Sequence, residues 1–181
     1  MKEEKKIVEY PFKIIGDKVL EQKAESCSEE ELEGISNLLI ETMKKFPGLG
    51  LSAPQVNISK RVIVLSGKDG YTIMRNPVIT KKSGELVNDR EACFSIPGVD
   101  LVMERPKYVS VKYFNFKHDL VETDLSESMS RVLQHEVDHL NGILMTDGIS
   151  DLQKKLIRKK LKRIKEYRES RQTESEENYG K

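Results

Sequence analysis

The most informative part of this 181-residue sequence is Gln134-His135-Glu136-Val137-Asp138-His139. Residues four apart on a helix share a face, so the imidazoles of His135 and His139 can reach one metal ion. Glu136 lies beside the first imidazole, where a carboxylate can accept a proton from water and deliver it to a leaving amine. The motif therefore predicts a hydrolytic metal centre on a helix.

The helix that carries this motif is predicted to begin near Asp124 or Ser126 and to end at Asn141-Gly142, with Gly142 in a left-handed conformation. Its apolar residues occupy more than one face, which is typical of a central helix covered by other elements. They are Met129, Val132, Leu133, Val137, Leu140, Ile143 and Leu144.

Two further helices and several strands surround this one in the sequence. Ser28 and Glu31 have the spacing of a capping box, and helical periodicity continues from Glu29 to Lys45. A third helix is predicted from Ser150. Strands are predicted at Arg61 to Ser66, Tyr71 to Met74, Val78 to Thr80 and Tyr108 to Phe116. The expected fold is α+β, with mixed or antiparallel β-sheets wrapped around the central HExxH helix, an N-terminal helix and a basic C-terminal helix.

Composition excludes several classes of protein. The 31 Lys plus Arg and 30 Asp plus Glu give a net charge of +1, so the whole chain makes no electrostatic case for DNA or an anionic membrane. No apolar run approaches the roughly 20 residues of a membrane-spanning helix, and the charged N-terminus lacks the apolar segment of a signal peptide. Two cysteines cannot form a disulfide scaffold. We expect a cytoplasmic protein.

The domain organisation is predicted to be simple. Residues 1–171 are expected to form a single catalytic domain that includes the basic C-terminal helix. Residues 172–181 have no apolar pattern and are predicted to form a disordered tail.

A hydrolytic metal site needs a third protein ligand and an open position for water. A metzincin-like protease would place a histidine six residues after His139, but that position is Met145. A thermolysin-like site would use a downstream glutamate, and these all lie in the basic helix or the polar tail. Upstream, a Cys93 thiolate would complete a Cys-His-His set, although a lone cysteine also fits a small buried hydrophobe. Cys27, at a helix start, is interpreted as buried and structural.

Three separated segments together resemble the motifs of the peptide deformylase family. They are Gly48-Leu49-Gly50-Leu51-Ser52-Ala53-Pro54-Gln55, Glu91-Ala92-Cys93-Phe94-Ser95 and Gln134-His135-Glu136-Val137-Asp138-His139-Leu140, within a resemblance from about Ile7 to Ile149. The second motif departs from the family pattern, since its usual glycine is Ala92 and its usual leucine is Phe94. The larger ring of Phe94 is expected to affect the shape of the substrate mouth.

The resemblance implies one ferrous ion per chain, or zinc or nickel in its place, held by Cys93, His135 and His139. Water activated by the ion and by Glu136 would attack the formyl carbon of an N-formylmethionyl nascent peptide. The oxyanion would be held by the ion, the Gln55 amide and the Phe94 backbone N–H.

The resemblance also implies the substrate contacts. Gly50 would hydrogen-bond the substrate backbone, while Leu49, Val132 and His135 would line the pocket for the methionine side chain. Two supporting contacts follow from metal chemistry, since a ligating imidazole usually donates its second N–H to a carboxylate. Glu91 is the candidate acceptor for this bond. Asp138 is expected to pair with Arg105.

The third helix has ten Lys or Arg and two Glu between Lys154 and Arg171, a local net charge of +8. Such a run fits a solvated face, RNA or an anionic surface. The resemblance favours the ribosome near the nascent-chain exit. Two other functions stay open: a metalloprotease of another lineage, and a deformylase-like protein that binds nascent chains or ribosomes without turnover.

Overall fold

The computed structural model describes the backbone of residues 10–179 and the side chains of residues 10–171. The charged N-terminal stretch of residues 1–9 lies outside the described residues. The helices are α1 (Glu29–Lys45), α2 (Glu127–Leu140) and α3 (Asp151–Tyr179), with short 3-10 helices at Lys18–Leu20 and Ala53–Val56. The strands are β1 (Gly50–Ser52), β2 (Val62–Gly67), β3 (Gly70–Lys82), β4 (Leu86–Ala92), β5 (Asp100–Pro106), β6 (Tyr108–Phe114) and β7 (Leu120–Ser126).

Two antiparallel sheets account for the strands. Five strands form one sheet in the order β1-β2-β3-β6-β7, and β4 pairs with β5 in a separate ribbon. All four strand pairs of the five-stranded sheet are antiparallel, including β3 with β6, between which the chain forms the β4-β5 ribbon, so no crossover helix is required. This arrangement confirms the predicted α+β fold with sheets around the motif-bearing helix.

Strand β2 lies between α1 on one face of the sheet and α2 on the other. Successive side chains of a strand point to opposite faces. Val62 and Val64 pack into the cluster formed with α1, whereas Ile63 and Leu65 pack into the cluster formed with α2. The strand is therefore buried on both faces, which accounts for its uninterrupted apolar sequence.

The burial of α2 follows from its apolar residues. Leu133, Val137 and Leu140 pack against the sheet, and the polar motif residues of the helix are also buried. None of the helices in the described part of the chain is long and apolar enough to cross a bilayer.

The strand predictions were partly wrong. The segments predicted as two short strands around Asn76-Pro77 form the single strand β3. Its pairing with β6 gains one residue between Arg75 and Val78, and Asn76 adopts a φ of 53°. This β-bulge lets the strand continue past proline, which cannot donate a ladder hydrogen bond. The sequence did not reveal β4, β5 or β7, because their residues are charged and mostly exposed or half-exposed.

The helix predictions were largely correct at the N-termini. The Ser28 N–H donates to Glu31 Oε2 at 2.9 Å, as the capping box requires. Helix α2 begins directly after Ser126, whereas Asp124 belongs to β7 and accepts a hydrogen bond from Ser110 Oγ.

The end of α3 differs from the predicted boundary at Arg171. The helix continues to Tyr179, and residues 180–181 lie outside the described residues. Residues 172–179 contain no proline or glycine that would end the helix. The lack of apolar periodicity in this segment therefore did not mark the end of the helix.

Gly142 ends α2 in the predicted left-handed conformation, with a φ of 73°. A Cβ atom at this position would lie 2.8 Å from the Glu21 carbonyl carbon and 2.9 Å from the Gln22 nitrogen. Both atoms belong to the backbone, which cannot rotate away as a side chain can. Glycine is therefore required here both by the backbone conformation and by the close approach of residues 21–22.

Replacing Gly142 by alanine is expected to destabilise the fold. The substitution would place a non-glycine residue in a left-handed conformation and create a clash with the backbone. Together these effects should lower the free energy of unfolding by roughly 2 kcal/mol or more. This loss would lower the melting temperature by roughly 4–8 °C in a chain of this size. Thermal unfolding followed by circular dichroism provides the measurement.

Gly34→Ala is the matched control for this variant. Gly34 is exposed within α1, and a Cβ there would have no neighbour within 4 Å. Alanine should stabilise the helix at this position by about 0.5–1 kcal/mol. Equal melting temperatures for Gly142→Ala and the unchanged chain would contradict the close approach described above.

Candidate metal centre and substrate cleft

Helix α2 places His135 and His139 one turn apart on the same face. Their rings meet edge to face, with centroids 4.9 Å apart, and both side chains are buried. This arrangement is the one that the four-residue spacing predicts.

Cys93 reaches the two imidazoles from the turn that follows β4. Its Sγ lies 3.2 Å from His139 Nε2, and one ligand atom from each of the three residues lies within 4.8 Å of the others. Burial alone would raise the pKa of the Cys93 thiol, but the charges and hydrogen bonds of His139 and His135 lower this pKa well below its usual range. One sulfur and two nitrogen donors suit Fe²⁺, Zn²⁺ or Ni²⁺, so the residues present fit a metal centre.

Glu91 forms the centre of a buried ionic network behind this site. Its Oε2 lies 3.0 Å from His135 Nδ1 and 2.9 Å from an Arg105 Nη2 donor. Arg131 Nη1 donates to Glu91 Oε1 at 2.8 Å, and Arg105 Nη1 donates to Asp138 Oδ2 at 2.7 Å. These contacts confirm the predicted acceptor for the imidazole and the predicted Arg105–Asp138 pair.

The charge state of Glu91 follows from the same contacts. Burial would raise its pKa, but hydrogen bonds from His135 and Arg105 lower the pKa of Glu91 to about 2. Glu91 is therefore ionised and can accept the Nδ1 proton of His135. That bond leaves Nε2 of the ring available to a metal ion.

Glu136 is buried beside the edge of β1. A Cβ on Gly50 would lie 2.9 Å from Glu136 Oε1 and 2.6 Å from Val132 Cγ1, so only glycine permits this approach. No group in the described part of the chain hydrogen-bonds Glu136 Oε2. Burial raises the pKa of Glu136, although the charges of His135 and His139 oppose this shift. A carboxylate with a raised pKa and an unshared oxygen is suited to proton transfer.

Gln55 is oriented by Ser52 at the end of β1. The Ser52 N–H and Oγ both donate to Gln55 Oε1, at 3.0 Å and 2.9 Å. With its oxygen held there, the Gln55 amide nitrogen points toward Cys93 Sγ, 3.6 Å away. The carboxamide therefore presents a hydrogen-bond donor to the centre of the site.

Phe94 lines the cleft and is held by contacts with three neighbouring residues. Its ring stacks on Phe12 with centroids 4.4 Å apart, and its carbonyl accepts a hydrogen bond from the Tyr10 hydroxyl. Burial and the nearby Cys93 thiolate raise the pKa of Tyr10 to about 12, which keeps this donor protonated. Gly48 makes room for the ring, because a Cβ there would lie 2.8 Å from Phe94 Cε2.

Ala92 replaces the glycine expected from the family motif without strain in the backbone. It is the last residue of β4, pairs with Asp100, and does not have a positive φ. The special conformation that could have required glycine is therefore not used at this position.

The predicted site residues converge on one cleft of about 620 Å³. The cleft is lined by Leu49, Gly50, Gln55, Cys93, Phe94, Val132, His135 and Glu136. His139 does not line the cleft but contacts Cys93. β1 is an edge strand, and the Ser66 N–H donates to the Leu49 carbonyl. By the alternation of an antiparallel ladder, the N–H and C=O of Gly50 then point away from β2, toward the cleft.

The sequence analysis missed two residues of the site. Arg131 lies one turn before His135 on α2 and therefore shares its buried face. A basic residue on that face was the signal that could have identified it. Tyr10 lies outside the three motifs, and its contact with the Phe94 carbonyl depends on the tertiary fold.

Among the described residues, no alternative ligand joins Cys93, His135 and His139. The position of the metzincin histidine is occupied by Met145, which is buried in the same core cluster as Cys93. Glu166 is exposed on α3, 3.7 Å from Lys162, and Glu169 is also exposed. The side chains of the three tail glutamates lie outside the described residues.

Comparison with known proteins agrees with this geometry. A family model described as polypeptide deformylase matches residues 5–155. A peptide deformylase from Thermotoga maritima is 40% identical over 154 residues, covering 84% of this chain and 94% of that protein.

Solved structures give the same result. A crystal structure of the Thermotoga maritima enzyme has a TM-score of 0.73 and 39% identity, and the match covers 77% of this chain and 96% of that chain. A peptide deformylase from Plasmodium falciparum has a TM-score of 0.82 and 32% identity over 88% of this chain and 97% of that chain. On sequence, fold and motif geometry together, the chain belongs to the polypeptide deformylase family.

Proposed function

We propose that Cys93, His135 and His139 hold one Fe²⁺ ion, for which Zn²⁺ or Ni²⁺ can substitute, at the catalytic centre of this enzyme. As a member of its family, the chain is a metal-dependent hydrolase that removes the formyl group from the N-terminal formylmethionine of newly made polypeptides and releases formate. The convergence of three ligand atoms within 4.8 Å of one another is the observation that carries the metal assignment.

The protein supplies the proton transfers around this centre. When bound, a divalent ion supplies Lewis-acid chemistry, acidifying water and polarising the formyl carbonyl. Glu136 takes a proton from the attacking water, whose oxygen bonds to the formyl carbon. Glu136 then returns that proton to the amine nitrogen as the C–N bond breaks, which leaves formate and a free N-terminal methionine.

Two donors are proposed to stabilise the negative charge on the formyl oxygen. The Gln55 amide is held in place by Ser52, so it requires no reorganisation when the charge develops. The second donor is the backbone N–H of Phe94. A backbone donor is independent of the side chain, so the exchange of leucine for phenylalanine preserves it.

The substrate is proposed to lie along the free edge of β1. The outward N–H and C=O of Gly50 would pair with the peptide backbone, as in addition of a strand to a sheet edge. Leu49, Val132 and the His135 ring would then surround the methionine side chain. Leu49 is 57% exposed without substrate, so covering it contributes to binding.

The alternative of a protein that binds without turnover has no support among these observations. Ala92 lies in ordinary backbone geometry, and the ring of Phe94 packs against Phe12 and Gly48. Neither departure from the family motif removes a group that the reaction uses.

The basic face of α3 supports a second part of the proposal. Ile157 and Ile164 pack into the same core cluster as Cys93, so we propose that residues 1–171 act as one catalytic domain. Lys155, Lys159 and Lys162 lie on the exposed side of α3. We propose that this side contacts the ribosome near the nascent-chain exit, in the cytoplasm where nascent chains emerge.

Glu136→Gln is expected to lower formate release from a formyl-Met tripeptide by about 10²- to 10⁴-fold, because it removes the proton-transfer group. Metal content should stay at that of the unchanged chain, since Glu136 is not a ligand. Glu104→Gln, at an exposed position of β5, serves as the control and should retain full turnover. Bound metal without formate release by the unchanged chain would instead support the binding-protein alternative.

Removal of the metal is expected to abolish turnover reversibly. Activity should return with Fe²⁺ added without oxygen, or with Ni²⁺, and the iron form should lose activity in air because its thiolate ligand oxidises. Cys93→Ala should hold well under one ion per chain by elemental analysis. Cys27→Ala, at the other buried cysteine, should keep full metal content, and retention of one ion by Cys93→Ala would contradict the ligand assignment.

Charge reversal on the exposed side of α3 is expected to weaken ribosome binding. The triple variant Lys155→Glu, Lys159→Glu and Lys162→Glu should reduce co-sedimentation with ribosomes at low salt and flatten its salt dependence. Truncation is less suitable, since it would remove Ile157 and Ile164 from the core. Lys81→Glu, Lys112→Glu and Lys117→Glu give the same change of net charge away from α3. If both triple variants bind ribosomes equally, the proposed contact is wrong.

A further inference from the structure

A second groove, of about 480 Å³, continues from the substrate cleft to α3. Tyr10, Pro97 and Gly98 line both depressions, so the two share a wall. Lys160 and Arg163 of α3 lie on the far side. A polypeptide that leaves the cleft past Pro97 therefore enters this groove.

The groove carries positive charge that other described residues do not neutralise. Lys160 Nζ donates to the Gly98 carbonyl at 2.7 Å, which uses one of its three N–H groups. Arg163 has no hydrogen bond or ion pair with any side chain in the described part of the chain. The nearest acid along the helix, Glu166, lies 3.7 Å from Lys162 instead.

The lining also suits an extended peptide. Tyr167 is 43% exposed and follows Arg163 by one helical turn, so the ring and the guanidinium border the same side of the groove. Ile164 is buried beneath them. Apolar surface beside two cations can contact a peptide backbone while the cations bind acidic side chains.

We propose that this groove binds acidic side chains of the substrate polypeptide itself, several residues after the formylmethionine. The inference rests on the deformylase function and adds a preference among its substrates. The bound N-terminus keeps the following residues close to the groove, so weak contacts there become effective. Each exposed ion pair is worth about 1.4- to 5-fold in binding, which gives about two- to 25-fold for Lys160 and Arg163 together.

The test uses formyl-Met decapeptides in which a pair of Glu or a pair of Lys is moved along the positions after methionine. At the positions that reach the groove, the Glu peptide should have a kcat/KM about two- to 25-fold higher than the Lys peptide, through KM. The difference should shrink at about 0.5 M salt, where exposed charges are screened. A formyl-Met tripeptide reports separately whether the catalytic centre works, so failure of the deformylase function would be distinguishable.

Two charge reversals on α3 locate the effect. Arg163→Glu should abolish or invert the preference for Glu peptides. Arg158→Glu makes the same charge change on the opposite flank of α3, outside the groove, and should preserve the preference. The proposal is overturned by equal turnover of Glu and Lys peptides at every position, or by equal effects of the two reversals. It is also overturned if Arg163→Glu alters ribosome co-sedimentation and leaves peptide turnover unchanged.

Discussion

The bidentate ion pair between Arg105 and Glu91 links the two halves of the site. Arg105 lies on β5 and Glu91 on β4, while His135 and Arg131, the other partners of Glu91, lie on α2. The network thus fixes the ribbon against the helix, and Cys93, two residues beyond Glu91, is carried to the imidazoles. Loss of one partner from such a buried pair typically costs about 3–5 kcal/mol, because a charge is left without its counterpart. The metal ligands can come from separate elements because this network holds those elements in register.

Much of the central helix could be predicted from local sequence. The spacing of His135 and His139 and the terminal Gly142 each act within a few residues, so their consequences can be predicted without the fold. The ribbon could not be predicted in this way. Its strands β4 and β5 are mostly exposed and charged, and they are fixed by the long-range contacts of Glu91, Arg105 and Arg131. Cys93 could be assigned only through the family resemblance, since no spacing rule connects it to α2.

The two departures from the family motif have different physical consequences. At Ala92 the backbone is ordinary, so the added methyl group only faces the cleft. At Phe94 the side chain is larger, and its ring is accommodated by packing against neighbouring residues. The ring occupies the space left open by Gly48 and stacks on Phe12. The phenylalanine at position 94 therefore depends on the glycine at position 48. A larger residue at position 48 would force the ring to move.

Helix α3 combines structural and binding surfaces because its faces have different neighbours. Ile157 and Ile164 project into the core cluster that includes Cys93, which makes the helix part of the catalytic domain. On one flank, Lys160 and Arg163 border the groove that continues the substrate cleft. Lys155, Lys159 and Lys162 are exposed on another side of the helix, while Arg171 donates to the Tyr10 and Phe12 carbonyls. Because all three faces belong to one helix packed into the core, the surface proposed to contact the ribosome is held at a constant position relative to the catalytic cleft. The two proposed roles of the positive charge on this helix are not visible in the net charge of +1 for the whole chain.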